Sequence, residues 1–242
     1  MLKNKEKIQK NIFLEVEYLG TNYFGFQVQQ KKGLNQHTIQ GELEKALKKL
    51  FRKKIRIIYA GRTDRGVHAL AQGVNFKVNT QIPLRNIKKA LNTFLPADIR
   101  IKKIKTVPPD FHARFSAKSK IYRYLIYNHK EPSVFWKDLS WHIDRKLDLK
   151  AMQERARKLL GRKDFSSFAK EAKNYKHCIR EVKNISVKRK GKFIQIDIEA
   201  DGFLRSMARN IISFLVNASG NKAFQANKPA PASGLYLYRV KY

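Results

Sequence analysis

The apolar positions in the first half of the chain predict four strands and two helices. Apolar side chains alternate or cluster, as they do in strands, over residues 13–18, 55–59, 74–78 and 99–105. Thr38 can cap a helix, because apolar residues follow it at helical spacing. These residues are Ile39, Leu43, Ala46, Leu47, Leu50 and Phe51. Pro83 suits the first turn of a second helix, whose apolar residues are Ile87, Leu91, Phe94 and Leu95.

The second half of the chain repeats this order of elements. Strands are predicted over residues 119–127, 181–189, 192–200 and 235–242, and the middle two form a hairpin that turns at Lys190-Gly191. Asp148 can cap a helix that carries Leu149, Met152, Ala156, Leu159 and Leu160 on one face. Another helix is predicted over residues 203–217 from the stripe Phe203, Leu204, Met207, Ile211, Phe214 and Leu215.

Two β-α-β-β-α-β runs predict an α+β protein built from two ferredoxin-like halves. We expect residues 1–110 to form the N-terminal half and residues 111–242 the C-terminal half. Two such halves can join edge to edge into one extended, mainly antiparallel sheet. The helices would then cover one face, and the other face would form a basic cleft.

The charge of the chain favours a nucleic-acid partner. Of its 242 residues, 52 are basic and 19 acidic, so the net charge is +33. Such an excess favours counterion release from a phosphate backbone. The 43% of hydrophobic residues is enough for a folded core and argues against a disordered basic tail. Part of the lysine excess can also be compositional, since Lys, Asn and Ile are abundant together.

Cysteine content and hydropathy argue against disulfide-bonded, zinc-binding and membrane-spanning classes of protein. The single cysteine, Cys178, excludes an internal disulfide and a cysteine-based zinc site. The sequence has no apolar stretch long enough to cross a membrane and no apolar signal core at its amino terminus. We therefore expect a cytoplasmic protein without a membrane association.

The segment AGRTDRGVHA, residues 60–69, is the strongest candidate for chemistry. It places Asp64 between Arg62 and Arg65 on a loop bracketed by Gly61 and Gly66. An ordinary loop aspartate caps a turn or pairs with a neighbouring arginine. A neighbouring arginine also keeps a carboxylate ionised, as a nucleophile requires. A carboxylate on a protein this basic therefore indicates a catalytic role.

Seven segments in order carry a family resemblance. They are GTNYFGFQVQ at 20–29, GRTDRGVHA at 61–69, FHARFSA at 111–117, YRY at 122–124, DFSSF at 164–168, GFLRSMARNI at 202–211 and GLYL at 234–237. Together they resemble the TruA family of tRNA pseudouridine synthases, from about residue 12 to the end. The resemblance departs from the family pattern at Ser206 and Ala208, where relatives usually have His and Val. Residues 221–229 also leave room only for a loop, where relatives commonly have a helix.

The resemblance implies an isomerase that converts uridine to pseudouridine at positions 38, 39 and 40 of the tRNA anticodon stem-loop. It implies no metal and no cofactor, and a homodimer in which one tRNA reaches across both subunits. Within the enzyme class, a relative could modify other tRNA positions or another RNA. The rival from another class is a non-catalytic RNA-binding module, which explains the charge equally well but leaves Asp64 without a role. A third interpretation, a basic protein that associates with the ribosome or with DNA, is supported by the charge alone.

The same resemblance implies the roles of the site residues. Asp64 is the catalytic nucleophile, Tyr122 packs on the uracil and takes part in removing the C5 proton, and Arg209 orients Asp64. Arg62 contacts the RNA or the flipped base. Apart from the resemblance, we expect Arg65 to contact phosphate, as Arg62 could also do, and Phe26 and Gln27 to shape the cleft.

Several of these residues have a simpler interpretation. A tyrosine in an alternating strand, as Tyr122 is, more often belongs to the core. Arg209 lies off the apolar stripe of its helix, so it is either solvated or faces a charge partner. His68 and His112 lack metal-ligand spacing, and we assign them no catalytic role.

Overall fold

The computed structural model describes residues 9–29, 37–217 and 228–242. Within these ranges the chain forms ten strands and four α-helices, so it is a mixed α+β protein as predicted. The strand pairings with a described register are antiparallel, except that Trp141–Ile143 runs parallel to Ser119–Asn128. The chain divides into two compact units, which are described separately below.

The first unit comprises residues 1–65 and 69–117. Its elements are β1 Gln9–Tyr18, α1 Ile39–Phe51, β2 Ile58–Tyr59, β3 His68–Asn79, α2 Leu84–Phe94 and β4 Ile99–Val107, and only the first residue of β3 belongs to the second unit. Its strands pair in the order β4-β1-β3-β2, so β1 lies between two antiparallel neighbours. The side chains of Ile12, Leu14 and Val16 on β1 are fully buried and form the centre of this unit's core.

Local sequence rules account for the two helices of the first unit. Thr38 caps α1 as predicted, because its Oγ1 accepts a hydrogen bond from the Gly41 amide at 3.2 Å. Pro83 is the N-cap of α2 and lies one position before the helical turn in which it was expected.

The strand predicted over 55–59 is shorter than expected, since only Ile58 and Tyr59 pair with β3. Ile55 and Ile57 are buried, but no strand pairing is described for them. The alternation of apolar residues that suggested a strand here therefore reflects burial.

The second unit comprises residues 66–68 and 118–242. Its elements are β5 Ser119–Asn128, β6 Trp141–Ile143, α3 Leu149–Lys158, β7 Gly161–Asp164, β8 Ile179–Lys190, β9 Phe193–Ala200, α4 Met207–Val216 and β10 Leu235–Lys241. Its strands pair in the order β10-β5-β9-β8-β7, and β6 adds to β5. Asp148 caps α3 as predicted, because its carboxylate accepts from the Ala151 amide at 3.1 Å. The predicted hairpin of β8 and β9 is present, with Lys190 as the last paired residue of β8 and Gly191 and Lys192 as the two turn residues.

Three predictions for the second unit need correction. The helix expected over 203–217 begins only at Met207, because Ser206 has the left-handed φ of +61° and separates Phe203 and Leu204 from α4. The helix after Asp148 ends at Lys158, so Leu159 caps it and Leu160 lies beyond it. The short strands β6 and β7 were not predicted. The whole of β7 is exposed and polar, so it carries no apolar pattern.

The boundary between the two compact units and the predicted boundary between the two halves lie close together in the chain. The compact units change at Ala117 and Lys118, but compactness does not establish a folding domain, so the division at 110/111 stays a prediction. The shortened segment 221–229 lies mostly outside the described residues, as does most of the amino-terminal lysine cluster. No helix in the described part of the chain is long and apolar enough to cross a membrane.

Candidate active site

Asp64 lies on the loop that joins β2 to β3, as the flanking glycines predicted. Its side chain is half-buried, while Arg62 and Arg65 on either side are exposed. Gly66 completes the turn with a φ of +77°, a conformation that favours glycine. The loop therefore presents one carboxylate between two solvated guanidinium groups.

Hydrogen bonds from β1 and β3 fix the backbone of this loop. The Ala60 amide donates to the Gly73 carbonyl at 2.9 Å, and Gln72 Nε2 donates to the Gly61 carbonyl at 2.8 Å. On the other side, the hydroxyl of Tyr18 lies 2.8 Å from Thr63 Oγ1. Each bond acts within four residues of Asp64, so the loop has little freedom to move its carboxylate.

The segment around Gly25 holds the same loop from a second direction. The Phe26 amide donates to the Thr63 carbonyl at 3.1 Å. Gly25 has a φ of +91°, and a Cβ on it would lie 2.8 Å from the Thr63 carbonyl oxygen. Because that distance is shorter than real Cβ contacts, only glycine fits here.

Phe26 belongs to the packing beneath the loop. Its side chain is fully buried, with its ring 4.5 Å from that of Tyr59 and 6.0 Å from that of Tyr18. Gln27, which follows it, is half-buried. Phe26 thus stabilises the segment that holds the Asp64 loop, and in this structure its ring is not exposed.

The hydroxyl of Tyr18 is held in the neutral form. Burial raises the pKa of Tyr18 to about 12, although hydrogen bonds with Thr63 and Gln72 act in the opposite direction. Tyr18 therefore stays protonated at neutral pH. Its role in the unit is to tie the end of β1 to the residue before Asp64.

Arg65 contacts an aromatic side chain at the surface. Its guanidinium carbon lies 4.6 Å from the ring centroid of Phe24, which is 40% exposed. This geometry is a cation–π contact, and it keeps the charged group near the loop without burying it.

Tyr122 lies on β5 in the second unit and is buried. Its ring meets that of Phe203 edge to face, with centroids 4.8 Å apart. Its register partners are Leu237 on β10 and Ile198 on β9. The core packing expected of a strand tyrosine is therefore present, and Phe203 fixes the orientation of the ring.

Arg209 lies in the first turn of α4 and is half-buried. Its Nε donates to the Ala230 carbonyl at 2.6 Å, and the Ala230 amide donates back to the Arg209 carbonyl at 3.2 Å. The simpler interpretation of a solvated arginine is therefore not what the structure shows.

Tyr124 lies in the core of the second unit. Burial raises the pKa of Tyr124 well above its usual range, and the charge of Arg209 acts in the opposite direction. The Tyr124 hydroxyl donates to the Pro231 carbonyl at 2.8 Å. A Cβ on Gly234 would lie 2.6 Å from the Tyr124 ring, so that glycine is required for the close packing.

His68 has a structural position. It is 1% exposed, and its Nε2 lies 3.0 Å and 3.1 Å from the carbonyl oxygens of Asp138 and Ser233. Burial lowers the pKa of His68, although both carbonyls act in the opposite direction. The neutral ring with Nε2 protonated fits these two acceptors.

The chain is similar to known proteins along most of its length. The tRNA pseudouridine synthase family model matches residues 15–116 and 156–228. A tRNA pseudouridine synthase A from Acetivibrio thermocellus is 40% identical over 96% of this chain and 100% of its own length. One from Moorella thermoacetica is 41% identical over 95% of this chain and 98% of its own. The chain belongs to the tRNA pseudouridine synthase family.

Membership of the tRNA pseudouridine synthase family makes the protein an isomerase. The matched ranges include Asp64 and Arg209, whereas Tyr122 lies between them and is covered only by the full-length relatives. Among solved structures, a Cbf5-Nop10-Gar1 complex covers 94% of this chain and 58% of its own at 13% identity. Its TM-score of 0.39 is below the level that indicates a shared fold.

The sequence did not identify the residues that position the Asp64 loop of this tRNA pseudouridine synthase. Tyr18, Gly25 and Gln72 all contact or face the loop, but they lie on other elements of the first unit. Gly25 lies in the family segment GTNYFGFQVQ, and this membership was the one sign in the sequence that the residue matters. Tyr18 and Gln72 resemble ordinary strand residues until the fold brings them to the loop.

Proposed function

We propose that this tRNA pseudouridine synthase isomerises uridine at positions 38, 39 and 40 of the tRNA anticodon stem-loop. The observation that carries the proposal is the likeness to proteins named tRNA pseudouridine synthase A over nearly the whole chain. The net charge of +33 supports a polyanionic substrate.

The proposed reaction rearranges one nucleotide and conserves its atoms and electrons. The bond from ribose C1′ to uracil N1 breaks, the base turns, and a bond from C1′ to C5 forms. C5 loses its proton and N1 gains one. Because the product is an isomer of the substrate, the overall conversion requires no oxidant or reductant.

Asp64 is the proposed nucleophile. Cleavage of the glycosidic bond builds positive charge on the ribose, which a carboxylate stabilises or captures. Support comes from the half-buried position of Asp64 on a loop whose backbone is fixed by Gln72 and Phe26. The exposed Arg62 and Arg65 offset the repulsion between that carboxylate and the RNA backbone.

Tyr122 and Arg209 are proposed to act on the same uridine. A target inside a stacked stem must be flipped out before reaction, and an aromatic wall holds the extruded base. The fixed Tyr122 ring suits that task, and its hydroxyl takes part in removal of the C5 proton. Arg209, held at Ala230, orients the carboxylate of Asp64. Arg62 and Arg65 contact the RNA. Phe26 and Gln27 shape the cleft, and Phe26 does so from beneath because its ring is buried.

The fold proposal is that each unit is ferredoxin-like. The order β4-β1-β3-β2 in the first unit supports this, as does the matching order β10-β5-β9-β8 in the second. We further propose that the halves share one sheet with a basic cleft. We also propose that the protein is a cytoplasmic homodimer; sedimentation with and without tRNA tests the dimer.

The test is to map the product. Unmodified tRNA transcripts are incubated with the protein and no cofactor, and pseudouridine is located by carbodiimide treatment and primer extension. The proposal expects pseudouridine at positions 38–40, seen as stops one nucleotide to the 3′ side of each, and pseudouridine elsewhere would assign another target. Salt-sensitive tRNA binding with no product at any position would instead support the non-catalytic module. Equal competition by duplex DNA would favour a general basic binding protein.

A further inference from the structure

We propose that Phe115 and Arg114 form a stacking platform for an unstacked base of the tRNA, an inference that rests on tRNA being the substrate. They lie on the loop of residues 111–116, between β4 and β5, in the first unit. This loop carries one of the family segments, FHARFSA, but the proposed chemistry uses none of its residues.

A buried pair of asparagines builds the base of the 111–116 loop. Asn11 and Asn75 are 3% and 0% exposed, and Asn75 Nδ2 donates to Asn11 Oδ1 at 2.9 Å. Asn75 Oδ1 accepts from the Ala113 amide at 2.8 Å, and Asn11 Nδ2 donates to the Phe111 carbonyl at 3.0 Å. A satisfied buried polar network of this kind fixes one loop conformation.

His112 fixes the outer part of the loop. Its Nδ1 accepts from the amides of Arg114 and Phe115 at 3.2 Å and 3.3 Å. The His112 carbonyl accepts from the Ser116 amide at 2.8 Å, and Ser116 Oγ accepts from the His112 amide at 3.1 Å. The backbone of Phe115 is therefore held in place before any ligand arrives.

This rigid loop leaves a large aromatic side chain in water. Phe115 is 76% exposed, and the His112 ring lies 4.3 Å from it at an angle of 31°. The guanidinium carbon of the exposed Arg114 lies 5.5 Å from the Phe115 ring centroid. Phe115 is not part of a core in this structure. If its exposed ring has a function, that function is contact with another molecule.

An unstacked nucleobase has the chemistry that fits this surface. A base offers a π face to the Phe115 ring, and its phosphate offers a negative charge to Arg114. A fixed loop also lowers the ordering cost of such a contact, since the ring is already in place. The platform would hold one unstacked nucleotide of the tRNA and so help to position the substrate.

The test measures equilibrium binding of an unmodified tRNA transcript. Phe115→Ala is expected to weaken binding by about 5- to 150-fold, the range for loss of one base stack. Phe115→Trp retains a π face and is expected to bind like the unaltered protein. Phe115→Leu keeps an apolar side chain without the π face, and it is expected to bind as weakly as the alanine variant. The matched control is Phe135→Ala, because Phe135 is 83% exposed and lies in the other unit.

Salt dependence separates the two halves of the platform. Phe115→Ala leaves the slope of log K against log salt unchanged, whereas Arg114→Ala reduces it by about 0.7 to 0.9, the value for one phosphate contact. The platform is overturned if Phe115→Ala binds tRNA as tightly as the unaltered protein does, or as tightly as Phe135→Ala does. It is also overturned by a change in sedimentation of Phe115→Ala without tRNA, which would indicate a protein contact. Because binding needs no turnover, absence of pseudouridine would overturn the proposed function and leave this test intact.

Discussion

The hydroxyl of Tyr18 lies 2.8 Å from Thr63 Oγ1, one residue before the candidate nucleophile. Both side chains are buried, at 2% and 6% exposure. The contact ties the last residue of β1 to the Asp64 loop, 45 positions along the chain. The position of the carboxylate therefore depends on a strand whose sequence gives no sign of chemistry.

Tyr18→Phe removes the hydroxyl that bonds to Thr63 and Gln72 and leaves the ring in place. We expect the free energy of unfolding to fall by about 1–2 kcal/mol, since a buried hydroxyl on Thr63 loses its partner. We also expect a lower kcat with little change in KM, because the carboxylate is less well positioned. Denaturant titration and steady-state kinetics measure the two effects.

The matched control for that variant is Tyr23→Phe. Tyr23 is also buried, and its hydroxyl donates to Asp98 at 2.5 Å rather than to the Asp64 loop. It should lose stability and retain kcat. An equal loss of kcat in both variants would show that general destabilisation, and not loop position, lowers the activity.

Gly25→Ala should be far more harmful than an ordinary glycine substitution. It combines a left-handed φ with a Cβ placed 2.8 Å from the Thr63 carbonyl oxygen. Gly191→Ala is the matched control, since Gly191 has a φ of +58° with open space around it. The control should cost about 1–2 kcal/mol of unfolding free energy, the usual strain of that conformation. Gly25→Ala should cost more and lower kcat, and equal thermal shifts would contradict the close approach.

His68 predicts a pH dependence of stability. Burial lowers the pKa of its folded form below the usual value of 6.5, so the unfolded chain takes up a proton first as the pH falls. The free energy of unfolding should therefore fall below about pH 6.5 and stop changing, for this group, once the pH is below the folded pKa. His68→Gln keeps a donor for Asp138 and Ser233 but does not titrate. Its stability between pH 5 and 8 should vary less than that of the unaltered protein, and parallel curves would exclude His68 as the cause.

Tyr122→Phe tests the proposed part of the hydroxyl in proton removal. The ring and its edge contact with Phe203 remain, so tRNA binding should change by less than about twofold. Release of tritium from tRNA labelled at uracil C5 should slow by about 100-fold or more in a single turnover, the usual contribution of an acid–base group. Unchanged release would leave Tyr122 as a packing residue only.

The sequence predicted what local rules determine. Thr38 and Asp148 were recognised as caps because a cap acts on amides within three residues. The helix that begins at Met207 was predicted to begin at residue 203, because an apolar stripe does not show that Ser206 turns left-handed. The positions of Tyr18 and Gln72 beside the Asp64 loop could not be predicted, since strand pairing determines them.

Conversion of tRNA by the Asp64→Asn variant is the most direct test of the central claim. Asparagine has nearly the same shape as aspartate but lacks the charge and the nucleophilic carboxylate, so folding and tRNA binding should persist. The account predicts no pseudouridine at positions 38–40 with this variant, under conditions in which the unaltered protein modifies them. Pseudouridine formed by Asp64→Asn at a comparable rate would contradict it.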